Sequence, residues 1–324
     1  MRKRKMLLIP LALLALVATS LTWVVAGSAS ADTSPTSADV VLGTFNLNAN
    51  DTGQSIFPGL LGELLHNNFT FNIKPPCTDC QITSLAPDLT DTSGNSVNMD
   101  TGPMLHHFVL YQQGGQDVSC PSGIYPGFMG KRLFASGNER TSIPQIPGYG
   151  LYIAPGASFA MTSDLMNYAS TPQTVQIRLH VTWVPGNTLK QITPVWLDET
   201  GPCGYSYMDV GAGQTHQSTS WTSNISGTLI GMGGHVHAYG QHISAVDTTT
   251  NTPLCDSVAT QMTMSMGAAA GVPMITNMTK CIGQAPNYVA QIHQGDTIQM
   301  DSYYNAPSPQ QGVMGISIMY IAQS

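Results

Sequence analysis

The sequence predicts an all-β protein made of two sandwich halves, and three observations carry that prediction. Helical periodicity is hard to find anywhere after residue 40. Short β-type runs recur along the chain, punctuated by Gly, Pro and Asn. Charged residues make up only 9% of the 324 positions, whereas Gly, Ser, Thr and Asn are abundant. Such a composition suits many short strands joined by tight turns.

The N-terminus stands apart from this pattern. Met1 to Lys5 is basic, Met6 to Ala26 is almost wholly apolar, and Ala29-Ser30-Ala31 precedes Asp32 as a small-residue cleavage site would. Residues 1–31 read as a signal peptide. The apolar run is also long enough to serve as a retained N-terminal anchor. On either reading the rest of the chain is exported, with a Ser/Thr/Pro-containing flexible tether at 32–39. Cleavage would take four of the 11 basic residues and leave seven against 18 acidic ones, a net charge of about −11. So acidic a surface does not attract nucleic acid or anionic lipid, and a membrane enters only if the N-terminal segment is uncleaved. Six cysteines in an exported chain point to disulfides, with the pairing left open.

The elements follow in order. "NNFTFNI" (67–73) is a strand, and "MLHHFVLYQ" (104–112) is another, leaving a turn at Thr101-Gly102-Pro103. "LYIAPGASFAM" (151–161) reads as strand, Pro-Gly turn and strand. "TVQIRLHVTWV" (174–184) alternates, with Val175, Ile177, Leu179, Val181 and Trp183 on one face and Arg178, His180 and Thr182 on the other. Polar turn material at 185–204 is the best boundary, giving halves at 40–195 and 196–324. The second half begins with "YSYMDVGAG" (205–213) and carries "GTLIGMGGHVHAYG". It ends with "QGDTIQMDSYYNA" (294–306) and "GVMGISIMYIA" (312–322).

Histidine placement suggests metal. In a strand, residues i and i+2 share a face, so His235 and His237 can aim their rings at one point. The alternative is a solvated pair on a turn. His106 and His107 are adjacent and would normally face apart, so joint ligation needs a bulge or strand end there. His180 lies on the polar face of its strand, and a third imidazole beside His106 and His107 would suit copper or zinc. Met314, on the closing strand, could add a thioether to His235 and His237. That donor favours copper, and the alternative is ordinary packing. The two halves match in order: His180 follows His107 by 73 residues, and Met314 follows His237 by 77. "QMTMSM" also places Met262, Met264 and Met266 on one strand face, as a copper(I)-loading patch or as buried packing.

Together, "LHHFVLYQ", "VQIRLHV", "GGHVHAYGQHISAV" and "GVMGISIMY" resemble, in order and spacing, the ligand-bearing strands of the copper type II, ascorbate-dependent monooxygenases. That family includes peptidylglycine α-hydroxylating monooxygenase and dopamine β-monooxygenase. The resemblance implies two jelly-roll-like β-sandwich domains facing each other across a cleft. It implies two copper ions, one held by His106, His107 and His180 for electron transfer, and one held by His235, His237 and Met314 for oxygen activation. It further implies O2 and ascorbate as co-reactants and hydroxylation of a C–H bond in a small-molecule or peptide substrate. Two departures stand out. Gly233 occupies the position where the peptide-amidating members hold the substrate carboxylate with an arginine. The spacing of Tyr320 on the closing strand leaves Met319 as a second thioether. A non-catalytic, secreted copper-binding protein is the alternative that Gly233 favours.

Overall fold

Alternating apolar residues build the framework of one large sheet. A computed structural model describes residues 34–51, 68–121, 128–265, 270–271, 273–283 and 286–323, which form one compact unit. The signal-peptide reading of 1–31 lies outside the described residues. Five strands come first: β1 (Thr36–Leu47), β2 (Asn68–Ile73), β3 (Cys80–Asp91), β4 (Pro103–Gln112) and β5 (Lys131–Gly137). Next are β6 (Tyr149–Ile153), β7 (Phe159–Asn167), β8 (Gln173–Pro185), β9 (Lys190–Asp198) and β10 (Met208–Val210). β11 (Gly213–Thr222), β12 (Gly227–Val236), β13 (Gly240–Asp247), β14 (Thr252–Thr263) and β15 (Pro273–Met278) follow. The last are β16 (Lys280–Ile282), β17 (Ala290–Ile292), β18 (Thr297–Ala306), β19 (Gln310–Val313) and β20 (Gly315–Gln323). A 3-10 turn at Met99–Thr101 is the one helical element among the described residues, and no helix there is long and apolar enough to cross a membrane. The all-β, sandwich-like fold is thus the one the sequence predicts.

The large sheet runs β1, β8, β3, β6, β9, β20, β12, β16, with β17 also on β12. A four-stranded sheet (β2, β7, β4, β5) and a five-stranded sheet (β11, β18, β13, β14, β15) pack against it. Strand alternation decides which face meets which partner. On β20, Ile316, Ile318 and Tyr320 enter the core shared with β4, β5 and β7, while Met319 and Ile321 enter the core shared with β13, β14 and β18. β9 divides in the same way, with Trp196 on one side and Val195 and Leu197 on the other. The large sheet is therefore a common wall with a different sheet on each face.

Two details differ from the sequence reading. The boundary expected between 195 and 196 falls inside β9, because Ile192 to Leu197 is a buried run in the middle of the wall. Pro194 and the polar residues flanking this run disguise it, since proline ordinarily argues against a central strand. β1 begins at Thr36, inside the stretch read as a tether, and pairs along its length with β8. The cysteines pair as Cys77–Cys80, Cys120–Cys203 and Cys255–Cys281.

One buried acid gives the fold a pH signature. Both carboxylate oxygens of Glu199 are buried without a hydrogen-bond partner, against Gly315 and Ser302. Burial, reinforced by the nearby Asp301 and Asp198 carboxylates, pushes this carboxyl up to about 8 from its ordinary 4.5. A raised folded-state value stabilises fully below 4.5, and that stability is lost as pH rises through 8. Denaturant titrations across this window should show wild type losing stability that Glu199→Gln, being neutral throughout, retains. Parallel curves for the two proteins would mean that Glu199 ionises freely.

Candidate metal centre

A register shift in β4 brings its two histidines onto one side. Against β7, Leu105 pairs with Leu165 but His107 pairs with Asp164, so His106 is the extra residue of a bulge. Leu105 and Phe108 still reach the first core, and the two histidines between them both turn away from it. The opposing pair follows the simpler rule. Val236 enters the second core, so His235 and His237 on either side of it share the other face.

The four rings meet. Centroids lie 4.3 Å apart for His106 and His237, 5.0 Å for His106 and His107, 5.3 Å for His235 and His237, and 6.4 Å for His107 and His235. One ring nitrogen from each of His106, His107 and His237 falls within 4.8 Å of the others. The Nδ1 of His107 and the Nε2 atoms of His235 and His237 are buried and make no hydrogen bond. An unpartnered buried polar atom costs about 1–3 kcal/mol, so those of His107 and His237, both in the converging trio, call for a shared partner. Burial first, then the neighbouring His106, pushes His107 down to about 3, and burial holds His237 well below its ordinary value. Both are therefore neutral imidazoles, the form that binds metal.

Two carboxylates aim these rings, and the sequence reading missed both. Asp164 Oδ2 lies 2.8 Å from His106 Nδ1, and Glu139 Oε1 lies 3.2 Å from His235 Nδ1. Such partners fix the tautomer and leave the far nitrogen as the donor. Burial pushes Glu139 up, but the His235 ring and backbone N–H groups outweigh it and hold the carboxyl below the usual range. Gly137 makes room, since a Cβ there would lie 2.8 Å from His235 Cε1. Tyr304 ties the far side together by accepting the His237 N–H at 3.1 Å and donating to the Met314 carbonyl. No local signal in the sequence links residues 139 or 164 to a histidine far along the chain.

The expected triad of His106, His107 and His180 does not form. Val175, Ile177, Leu179 and Val181 pack with Leu105 and Phe108, so alternation turns His180 to the opposite, uncovered face of β8. There its side chain is 53% exposed and bonded to Asp39 at 2.7 Å. In place of two separate ligand sets, both histidine pairs share one cluster. Met314 is buried and lines a cavity together with His107 and His235. Met319 points into the second core, away from that cavity.

The cavity, of about 70 Å³, opens to solvent and is walled mainly by apolar side chains such as Phe134, Ile143, Trp196 and Ile318. Gly233 lines it, and Lys280 stands directly across the β12–β16 ladder from Gly233, with Nζ 3.1 Å from Ser142 Oγ. Arg132 also lines it, but its guanidinium is held by Asp117 at 2.8 Å and lies over the Trp196 ring.

No family model matches the chain. Probable copper-dependent oxygenase M1 from a Phoma species is 27% identical over 266 residues, covering 78% of this chain and 66% of that protein. Probable copper-dependent oxygenase clz3 from Cochliobolus lunatus is 26% identical over 253 residues, covering 74% of this chain and 78% of that protein. The chain thus spans just under two thirds of the Phoma protein's length. Among solved structures, the major capsid protein P2 of bacteriophage PM2 aligns over 87% of this chain and 98% of its own, at 12% identity and a TM-score of 0.35. This chain is a distant relative of proteins named as copper-dependent oxygenases, and neither name is that of the peptidylglycine or dopamine enzymes.

Proposed function

We propose that this protein is an exported copper-dependent monooxygenase that hydroxylates a C–H bond of an organic substrate with O2 and a reductant such as ascorbate. The observation that carries this reading is the four-histidine cluster, with its three buried, unpartnered ring nitrogens. An all-imidazole donor set suits copper. The names of the two relatives agree with that choice of metal. Three disulfides are consistent with an exported chain.

His106, His107 and His237 would hold the ion, with His235 completing the set and Met314 the thioether beside it. Copper bound there would supply the one-electron chemistry and oxygen activation that C–H hydroxylation needs. The chain's own part is to fix the donors, exclude water and present the substrate. Asp164 and Glu139 keep His106 and His235 in one tautomer. The apolar walls beside His107 and His235 would seat the carbon skeleton of the substrate. Lys280 gives the cavity a cation that an anionic group on the substrate could meet.

Copper content and oxygen uptake with ascorbate, measured across a panel of apolar substrates, test the reading. Stoichiometric copper with substrate-dependent uptake supports it. Copper without any uptake leaves a copper-binding protein, and a metal-free purified chain removes both. Asp164→Asn and Glu139→Gln should each weaken copper binding about 10- to 100-fold with the fold intact, as measured by chelator competition. Unchanged affinity in both variants would remove the orienting role assigned to these carboxylates.

A further inference from the structure

Apart from the two large cores, the described residues form a third buried cluster, and its five buried members among them are methionines: Met99, Met104, Met166, Met264 and Met274. Tyr168 and Ala238 pack against it. The first two cores, by contrast, are built mainly from Leu, Ile, Val and Phe. Packing alone is served at least as well by leucine, whose rotamers are better defined.

The cluster adjoins the histidines. Met104 precedes His106 by two residues on β4 and pairs with Met166 on β7. Met166 in turn follows Asp164, the partner of His106, by two residues. Ala238 directly follows His237. At the other end, Met262 pairs with Met274 across β14 and β15 and is 42% exposed. Register and packing therefore link Met262 at the surface, through Met274, to the cluster that holds Met264, Met104 and Met166, whose Met166 sulfur accepts the Tyr168 hydroxyl at 3.2 Å. None of the five clustered methionines lines the cavity next to His107 and His235, so the two features flank the histidines separately.

Thioether sulfur is soft, neutral and unprotonated at any ordinary pH. Soft donors of this kind select copper(I) over harder ions such as zinc, magnesium and calcium. A buried neutral pocket also favours a singly charged ion, because the desolvation cost of burying a charge rises steeply with its magnitude. We propose that the methionine cluster is a second metal site, a thioether site for copper(I), and that the reduced ion enters at Met262 and passes through it to the histidines. Only the ion's destination rests on the function proposed above; binding at the cluster does not.

The test uses the full mature chain with silver(I), a redox-inert stand-in, followed by copper(I) under anaerobic conditions. The variants are Met104→Leu/Met264→Leu/Met274→Leu together, Met264→Leu alone, and Met300→Leu, at a buried methionine of the second core, as a control. Leu-for-Met exchanges conserve volume and usually cost less than about 1.5 kcal/mol each, and thermal melts check folding. Wild type and Met300→Leu are expected to take up one more silver ion than the triple variant. Copper(I) X-ray absorption of His106→Ala/His237→Ala, which disables the histidine site, should show sulfur neighbours that vanish when the three methionine substitutions are added to it. If the triple variant does not fold, Met264→Leu carries the test, with silver affinity expected to fall by about tenfold or more. Equal silver uptake and unchanged sulfur scattering in the methionine variants would overturn the proposal. Sulfur-bound silver in a protein without oxygenase turnover would keep this site and sink the function. Turnover without any sulfur-bound ion at the cluster would do the reverse.

Discussion

Replacing His237 with alanine is expected to strip the copper centre and reduce oxygenase turnover to background while leaving the fold in place. His237 is the histidine most central to the cluster, with ring contacts to His106, His107 and His235. Two of those rings come from β4 and one from β12, so this side chain joins the donors of the two strands. Loss of a partner one step removed from a metal already costs about 10- to 100-fold in affinity or activity, and loss of a direct donor should exceed that. The fold should survive because His237 lies just beyond the end of β12, and its backbone N–H can still reach Tyr304. Removing a buried imidazole that has no hydrogen-bond partner at Nε2 also relieves a local cost, so the metal-free variant should melt no lower than metal-free wild type. Metal analysis, oxygen uptake and thermal melts with and without chelator read all three quantities. Wild-type copper content in His237→Ala would show that the ring is not a ligand. His180→Ala is the matching control, and its exposed ring, bonded to Asp39, should leave copper binding unchanged.

Breaking the Cys120–Cys203 disulfide is expected to have the largest effect on stability. The bond closes a loop of 83 residues, and the chain-entropy argument assigns it about 4.5 kcal/mol. Cys120→Ala/Cys203→Ala should therefore melt about 10 °C lower than wild type. The bond also sits where the cavity wall is braced. Cys120 N–H donates to Asp117, Asp117 holds Arg132, and Arg132 donates to the carbonyl of Pro202, next to Cys203. Loosening this corner should disturb Arg132 and Trp196 at the cavity and raise KM more than it lowers copper affinity. The short Cys77–Cys80 loop, with a separation of 3, should matter far less. Equal melting temperatures for wild type and the Cys120/Cys203 variant would mean that the unfolded chain gains no freedom when the bond is removed.

What the sequence determined by itself is everything governed by neighbours one to four residues apart. Alternation revealed the strands, including β8, whose apolar face is buried as read. The i, i+2 rule put His235 and His237 on one face, and the need for a break at His106–His107 is met by the bulge in β4. The six cysteines, read beside an expected export signal, anticipated disulfides, and the motif order pointed to copper, in agreement with the names of the two relatives. What only the tertiary structure decided is how strands distant in the chain pack. The same alternation that made His180 conspicuous turned it away, because the core shared with β4 lies on the other face of β8. Two histidine pairs that the chain separates by more than a hundred residues met in one cluster, since β4 and β12 converge there. Glu139 and Asp164 became partners of those histidines across 96 and 58 residues. Long-range pairing depends on which surfaces bury best together, and no local pattern records that choice.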